Sequence, residues 1–591
     1  MNRLLFGLLS MAAFFYQSDT AQAQIPTIKF ATPEKDSFAT TISSVIFSGL
    51  AQQPTGSLLI NGRPVRIYKT GAFAIKIDSL QEGLNTVQAT YTYKKQTSSQ
   101  TFLVIKKEPV NVSPVDGLAI ASIGTYPQNI QWAKPGEQVQ VIVKATPNME
   151  AYWNNRPLVE QDTSIAGPGI YKGGYIFQNQ DTGKKIPLHI TLKDPRNNKS
   201  IDKEQGPPIR ILGDQTLTGY TVGKLPYMTY GYGDDRLGGA KMTYLDTLIP
   251  FTVTGKIDNA YRVQLSPAQT AYIPTSNLVL TEKKAAPMPT ILSGNWRVEP
   301  ISNGDIVHIN LESRRPYSSL TEVNPSRLLV DIYGVVSNTN WITQLQGLQV
   351  IRNIWYEQLP DHVLRVFIDL KNPQLWGYDI HYEGNDLVVF VKKAPKSSHW
   401  QDLTIALDAG HGGENLGAEG LTGAYEKDIT LQITQKLCKK LQALGAKVVM
   451  TRTKDTTLSI VERIQFLKES APDLLVSIHC NSAGNPFVQG NSTYYRYIGF
   501  APLSEYIHKE MLQLGLEDYG HVGSFNFALS GPTNYVNALN ELAFISNPED
   551  ESRLLDPIWQ GKMVQATITG LQKFLHANIS SSENKIRRKK R

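Results

Sequence analysis

The stretch LDAGHGGENLGAEG, residues 407–420, ends an apolar run and surrounds His411 with Gly410, Gly412, Gly413 and Gly417. Three uses fit a glycine-rich loop of this kind: a phosphate cradle, a metal site, or a tight turn with no further role. The flanking sequence narrows the choice. LTIALDAG has the composition of a buried strand. EKDITLQITQKLCKKLQALG, residues 426–445, repeats Ile429, Ile433, Leu437 and Leu441 every four residues, with Gly445 as a stop. KVVMT and DLLVSIH are two further short apolar strands, and VERIQFLKES lies between them with helical spacing. Strands alternating with helices predict an α/β domain with a largely parallel sheet. In such sheets working residues collect beyond the strand C-termini, where LDAGH and VSIHCN each place a histidine.

A dinucleotide site needs G-x-G-x-x-G opening a helix, and a phosphate loop needs Gly-Lys-Ser or Gly-Lys-Thr. Neither is present in this region. A metal site needs donors from separate elements. His411 after the first strand, Glu426 at the helix start and His479 after a later strand can supply them. Two histidines and one carboxylate leave a fourth zinc position open, as catalytic sites do. Spacing alone does not decide this, because no compact H-E-x-x-H occurs.

The order of five motifs adds a second line of argument. LTIALDAGHGGENLGAEG, YEKDITLQI, VVMTRTKDTTLSIVERI, LLVSIHCNSAGNP and NELAFISNPEDESRLL follow one another across residues 403–577. Together they resemble the catalytic domain of the zinc-dependent N-acetylmuramoyl-L-alanine amidases. The resemblance implies a zinc ion held by His411, Glu426 and His479, with Glu541 as the catalytic carboxylate. It also implies peptidoglycan as substrate, cut at the amide between N-acetylmuramic acid and L-alanine during wall remodelling or daughter-cell separation. Asp408 and Asn481, next to the ligands in sequence, can orient imidazole N–H groups or hold loop backbone. Cys480 beside a ligand is not expected to act as nucleophile or fourth ligand, since a fourth protein ligand closes the site. Arg452, Asp455 and Arg463 are expected in structural ion pairs, and His521 on the surface. Family members commonly carry Leu-Arg where this chain has Leu529-Ser530, which puts a substrate contact from that loop in doubt.

Two other functions compete. A non-catalytic wall-binding scaffold on an amidase fold is expected to have lost a ligand or the carboxylate, and all four residues are present. A zinc amidase acting on another peptide keeps the chemistry and changes the substrate.

Upstream, the chain reads as several all-β modules. Residues 24–108 alternate in short runs around the turn pair Asn61-Gly62 and resemble bacterial immunoglobulin-like modules. Residues 109–212 continue in that style as a second β domain. FTVTGKIDNAYRVQLSPAQTAYIPTSNLVL, within 213–283, is similar to bacterial Src-homology-3-like barrels. Residues 291–395, with DIVHINLE, RLLVDIYG, HVLRVFIDL and DLVVFVKK, resemble the AMIN sandwich found ahead of wall amidases. His308, His362 and His381 in that region lack ligand-like spacing.

At 591 residues the chain exceeds a single hydrophobic core, consistent with this division. MNR, the apolar run LLFGLLSMAAFFY and Ala21-Gln22-Ala23 predict a signal peptide over 1–23, hence an exported protein, most simply periplasmic. The net charge of +7 is concentrated in KIRRKKR at the end of a tail, 578–591, expected to be disordered. The remaining body is near neutral, which argues against nucleic acid as a partner. Only Cys438 and Cys480 are present, so no disulfide framework is expected.

Overall fold

A computed structural model describes residues 26–107, 117–162, 168–213, 217–233, 239–281 and 288–589, with side chains to 579. The expected leader lies outside these residues. The chain forms two compact units, divided after Lys107.

In the first unit, strands Ile28–Thr32, Val45–Ala51 and Ala72–Ile77 form one antiparallel sheet. A five-stranded sheet is built on the long hairpin Gly83–Tyr93/Gln96–Lys106. Asn61 and Gly62 take left-handed φ of 47° and 73° in the two-residue turn that the sequence predicts. Phe30, Phe47, Phe73 and Phe102 meet edge-on in the core.

In the second unit a seven-stranded sheet covers Ile120–Glu204. The segment up to the boundary expected at 212 has an apolar core of its own, from Ile120 to Ile211, and it also pairs with the next sheet. Strands Ile130–Ala133 and Ile209–Ile211 from the preceding segment join the ten-stranded sheet that carries Pro250–Ile257, with Ile130 opposite Ile257. An edge strand with free N–H and C=O groups satisfies them on whichever sheet lies beside it. Residues 291–392 form a six-stranded and a four-stranded sheet.

The α/β segment consists of β1 (Thr404–Ala409), α1 (Glu426–Ala443), β2 (Lys447–Met450), α2 (Ile460–Ser470), β3 (Leu474–Asn481), β4 (Asn491–Tyr494), α3 (Ala501–Leu512), β5 (Asp518–Val522), β6 (Val536–Phe544), α4 (Pro548–Leu555) and α5 (Pro557–Lys589). The strand order is β2-β1-β3-β6-β4-β5. All neighbouring pairs are parallel except β4 with β6. Ile429, Ile433, Leu437 and Leu441 form the buried face of α1, and Gly445 ends that helix region at φ 100°. Ser459 and Glu462 close a capping box on α2, each side chain accepting from the other's backbone N–H. Residues from 578 onward, expected as a disordered tail, continue α5 to Lys589. That helix is already nucleated by its packed first turns, and propagation costs far less than nucleation.

One apolar cluster runs from Phe251 and Ile273 through Trp296, Val330 and Val389 into Ile405, Leu474 and Leu571. Trp376, ahead of the α/β segment, packs on Phe574 of α5 with ring centroids 5.5 Å apart. The regions expected as separate modules between 213 and 577 therefore share one core. No helix among the described residues is long and apolar enough to cross a membrane.

Candidate metal centre

β1 and β3 are parallel neighbours in the sheet interior, so their C-terminal ends deliver His411 and His479 to the same edge. Glu426 opens α1 with its side chain 5 % exposed. One ligand atom from each of His411, Glu426 and His479 lies within 4.8 Å of the others. His411 Nε2 is 3.1 Å from Glu426 Oε2, and His479 Nδ1 is 3.0 Å from Glu426 Oε1. The imidazoles meet edge-on with centroids 5.0 Å apart.

The glycines are explained by contact. A Cβ on Gly410 would enter the His479 ring, and one on Gly417 would lie 2.6 Å from Glu426 Oε2 and 2.9 Å from His411 Cδ2. His411 itself has φ 60°, a left-handed conformation that costs a non-glycine residue about 1–2 kcal/mol.

That strained turn is held by its carbonyls. Arg463 donates to Ala409 O at 2.9 Å and to His411 O at 2.5 Å. Arg452 donates to Ala409 O and Gly410 O, both at 2.9 Å. Thr430 donates to Gly410 O at 2.8 Å. Asp455, expected in an ion pair, bonds Lys427 Nζ at 2.7 Å.

The Asp408 carboxylate is taken up by Arg463 at 2.6 Å, Thr451 at 2.7 Å and Ser477 at 2.7 Å. Of the two roles open to it, the backbone one fits: it fixes the arginine that holds the loop, and its hydrogen bonds go to no imidazole. Burial alone would raise its pKa, but Arg463, the nearby His479 and the two hydroxyls hold it below the carboxylate range. Asn481 bonds Ser482 N and Ser492 Oγ and likewise reaches no imidazole.

The residue that does hold an imidazole is Asn415. Its Oδ1 lies 2.9 Å from His411 Nδ1, within a tight bridge between Gly412 and Asn415. Sequence reasoning missed it, because an asparagine among glycines reads first as a turn former. The available signal was its position four residues after the histidine.

Glu426 accepts four hydrogen bonds, from both imidazoles and from the backbone N–H groups of Ala418 and Cys480, each of the latter at 2.9 Å. Burial works against its charge, yet the two histidines hold it well below the usual carboxylate range. For His479, burial lowers the pKa, and the bond to Glu426 together with the charges of Glu426, Glu541 and Asp408 raises it to about 9. The pocket therefore favours positive charge between its donors. Two nitrogens and a permanently ionised oxygen, all converging, fit a divalent transition-metal ion. The Cys480 thiol is pushed well up by burial and by Glu426 and Glu541, so it stays protonated; only its backbone N–H serves the site.

Glu541 sits on β6 directly opposite His479 of β3 and Ser492 of β4. Parallel register puts the His479 and Glu541 side chains on one face of the sheet, and Glu541 is 7 % exposed. The structure thus gathers His411, Glu426, His479 and Glu541 at one sheet edge. His521 is half-buried against Ser504, 2.8 Å from its hydroxyl. His381 pairs with Asp379 at 2.9 Å and His308 faces Glu299 at 3.6 Å, neither in this cluster. Both cysteines are free.

The family model described as N-acetylmuramoyl-L-alanine amidase matches residues 405–573. The chain is 34% identical over 172 residues to the N-acetylmuramoyl-L-alanine amidase LytC of Bacillus subtilis, a match covering 28% of this chain and 34% of LytC, so it spans about a third of that relative's length. It is 34% identical over 176 residues to the uncharacterized protein YqiI of the same species, covering 29% of this chain and 84% of YqiI. Among solved structures, the catalytic domain of the amidase CwlV from Bacillus (Paenibacillus) polymyxa var. colistinus is 30% identical, covering 29% of this chain and 98% of that one, with a TM-score of 0.28. Through its α/β segment, the chain belongs to the N-acetylmuramoyl-L-alanine amidase family.

Proposed function

We propose that this protein is a zinc-dependent amidase that cleaves the bond between N-acetylmuramic acid and L-alanine in peptidoglycan. The observation that carries the reading is the convergence of His411, Glu426 and His479 within 4.8 Å, with Glu541 in register opposite His479. In this reading the three residues hold the metal and Glu541 is the catalytic residue. Zinc, when bound there, supplies Lewis acidity that polarises the amide carbonyl and acidifies water. Glu541 accepts a proton from the attacking water and returns one to the L-alanine amine as it leaves. Asn415 holds the His411 ring by Nδ1, and Arg452 and Arg463 hold the loop below it. No serine or thiol nucleophile is needed, in keeping with the protonated state of Cys480.

The upstream regions are assigned in the same reading to immunoglobulin-like, Src-homology-3-like and AMIN-like modules that bring the enzyme to the wall. Cleavage of the leader would place it outside the cytoplasm, in the periplasm of a cell with two membranes. The test is digestion of purified sacculi by the zinc-loaded full chain, with mass spectrometry of the products. Free peptides beginning with L-alanine and glycan strands stripped of peptide are expected. Products still joined through muramic acid would overturn the assignment.

A further inference from the structure

We propose that the segment Phe525–Asn534, packed beside the strand that carries Glu541, is held in its working position by the β-rich regions upstream, with Asn526 as the positioning residue. Those regions then contribute to turnover itself, beyond bringing the enzyme to its polymer. The activity arm rests on the amidase reading above.

The segment joins β5 to β6, the strand that carries Glu541. Phe525 and Phe527 pack on Tyr494 with centroids 4.8 and 5.1 Å away, and on each other at 4.7 Å. Ser492 donates to the Tyr494 hydroxyl at 3.3 Å, and Ser492 is the direct cross-strand neighbour of Glu541. The aromatic pair therefore reaches the catalytic strand through two side chains.

Asn526, between the two phenylalanines, makes its bonds to the opposite side. Its Oδ1 accepts from the Lys241 backbone N–H at 3.1 Å, and its Nδ2 donates to Gly239 O at 3.0 Å. One amide side chain thus pairs with the upstream backbone as a strand would. Arg496 adds a bond to Oδ1 at 3.3 Å. Tyr244 donates to Ala528 O at 3.3 Å, and a Cβ on Gly531 would lie 2.9 Å from its ring. Leu529 and Ser530 are both buried. The other end is tied to the 291–392 sheets. Tyr378 N donates to Thr533 O at 2.7 Å, and Asn534 Nδ2 donates to Asp379 Oδ1 at 2.8 Å. A Cβ on Gly377 would lie 2.6 Å from Asn534 O.

Delivery to a polymer requires only a tether. Contacts from two upstream regions onto ten residues beside the catalytic strand restrict the conformations of that segment before substrate arrives, which is preorganisation.

The test uses the full-length zinc-loaded chain and a soluble muramoyl-peptide, a substrate for which wall delivery is irrelevant. Asn526→Ala is expected to lower kcat about tenfold, within the range that a small misplacement of catalytic groups produces. Zinc content and sacculus binding should stay at wild-type values, and amide hydrogen exchange over 523–534 should accelerate. Tyr244→Phe, which keeps the ring and removes one bond, should change both readouts in the same direction by about two- to threefold, as a neutral hydrogen bond would. An Asn526→Ala protein with wild-type or raised kcat, with unchanged exchange across the segment, or with lost zinc would overturn the proposal. If the wild-type chain releases no peptide beginning with L-alanine, the amidase reading fails, and hydrogen exchange still decides whether the upstream regions hold the segment.

Discussion

Arg463 and Asp408 form an ion pair at 2.6 Å with both side chains almost entirely out of solvent, at 5 % and 1 % exposure. The same arginine donates to the carbonyl of His411. A pair buried this deeply does not gain most of its worth from Coulomb attraction, because desolvation offsets much of it. Its effect is to fix a cation under a left-handed turn whose carbonyls need donors.

Asp408→Asn should therefore cost about 3–5 kcal/mol of stability, the usual penalty for leaving one buried partner uncompensated. Zinc affinity should fall with it, since the His411 loop loses its anchor. Denaturant unfolding and zinc titration of the variant check both. A stable variant with weakened zinc binding would show that only the loop depends on the pair; a variant unchanged in both would refute the role.

Glu541→Gln is expected to reduce peptide release by at least about 10²-fold, the lower end of what a positioned acid–base contributes. The change keeps shape and removes the basic oxygen. Zinc content and sacculus binding should persist, because His411, Glu426 and His479, the proposed ligands, are unchanged. Cutting by this variant at the wild-type rate would mean another group handles the proton.

The pH behaviour of the metal-free protein follows from His479. Its pKa is raised from 6.5 to about 9 in the fold. A raised pKa gives stability that is complete below the unfolded value and is lost as pH climbs through the folded one. The Tm of chelator-treated protein should thus decline between about pH 6.5 and pH 9. Zinc-loaded protein should gain relative to it over that window, because the ligating imidazole must shed its proton and binding releases protons. Parallel melting curves with and without zinc measure the difference; curves that keep a constant separation across the window would contradict the coupling.

Gly417→Ala addresses the space around the ligands. The added methyl would lie 2.6 Å from Glu426 Oε2 at a backbone φ of 70° that disfavours side chains. Zinc affinity should drop about 10- to 100-fold, as when the support of a ligand is disturbed, while the helical circular-dichroism signal stays unchanged. Wild-type zinc affinity would show that the loop yields at no cost.

Much of the metal centre was legible because its parts obey short-range rules. A four-residue apolar period fixed the face of α1, and therefore where Glu426 enters. Two apolar strands ending in histidine brought His411 and His479 to one sheet edge. Asn415 was not legible, since its side chain bonds a ring through a turn that glycine placement alone does not specify. The turn carbonyls collected by Arg452 and Arg463 were also hidden; the sequence suggests ion pairs, and only the fold shows that Arg452 spends its donors on backbone. The strand pairing across 212 was hidden for a related reason. An apolar strand such as Ile130–Ala133 carries no mark of which sheet will pair with it.

The contact between Trp376 and Phe574 bears on where the chain can be cut. An α/β segment excised without the 291–392 sheets would leave the Phe574 ring without the indole that covers it. An excised segment of that kind is expected to associate through the bared apolar surface, and extending it upstream to include the 291–392 sheets should restore the monodisperse protein.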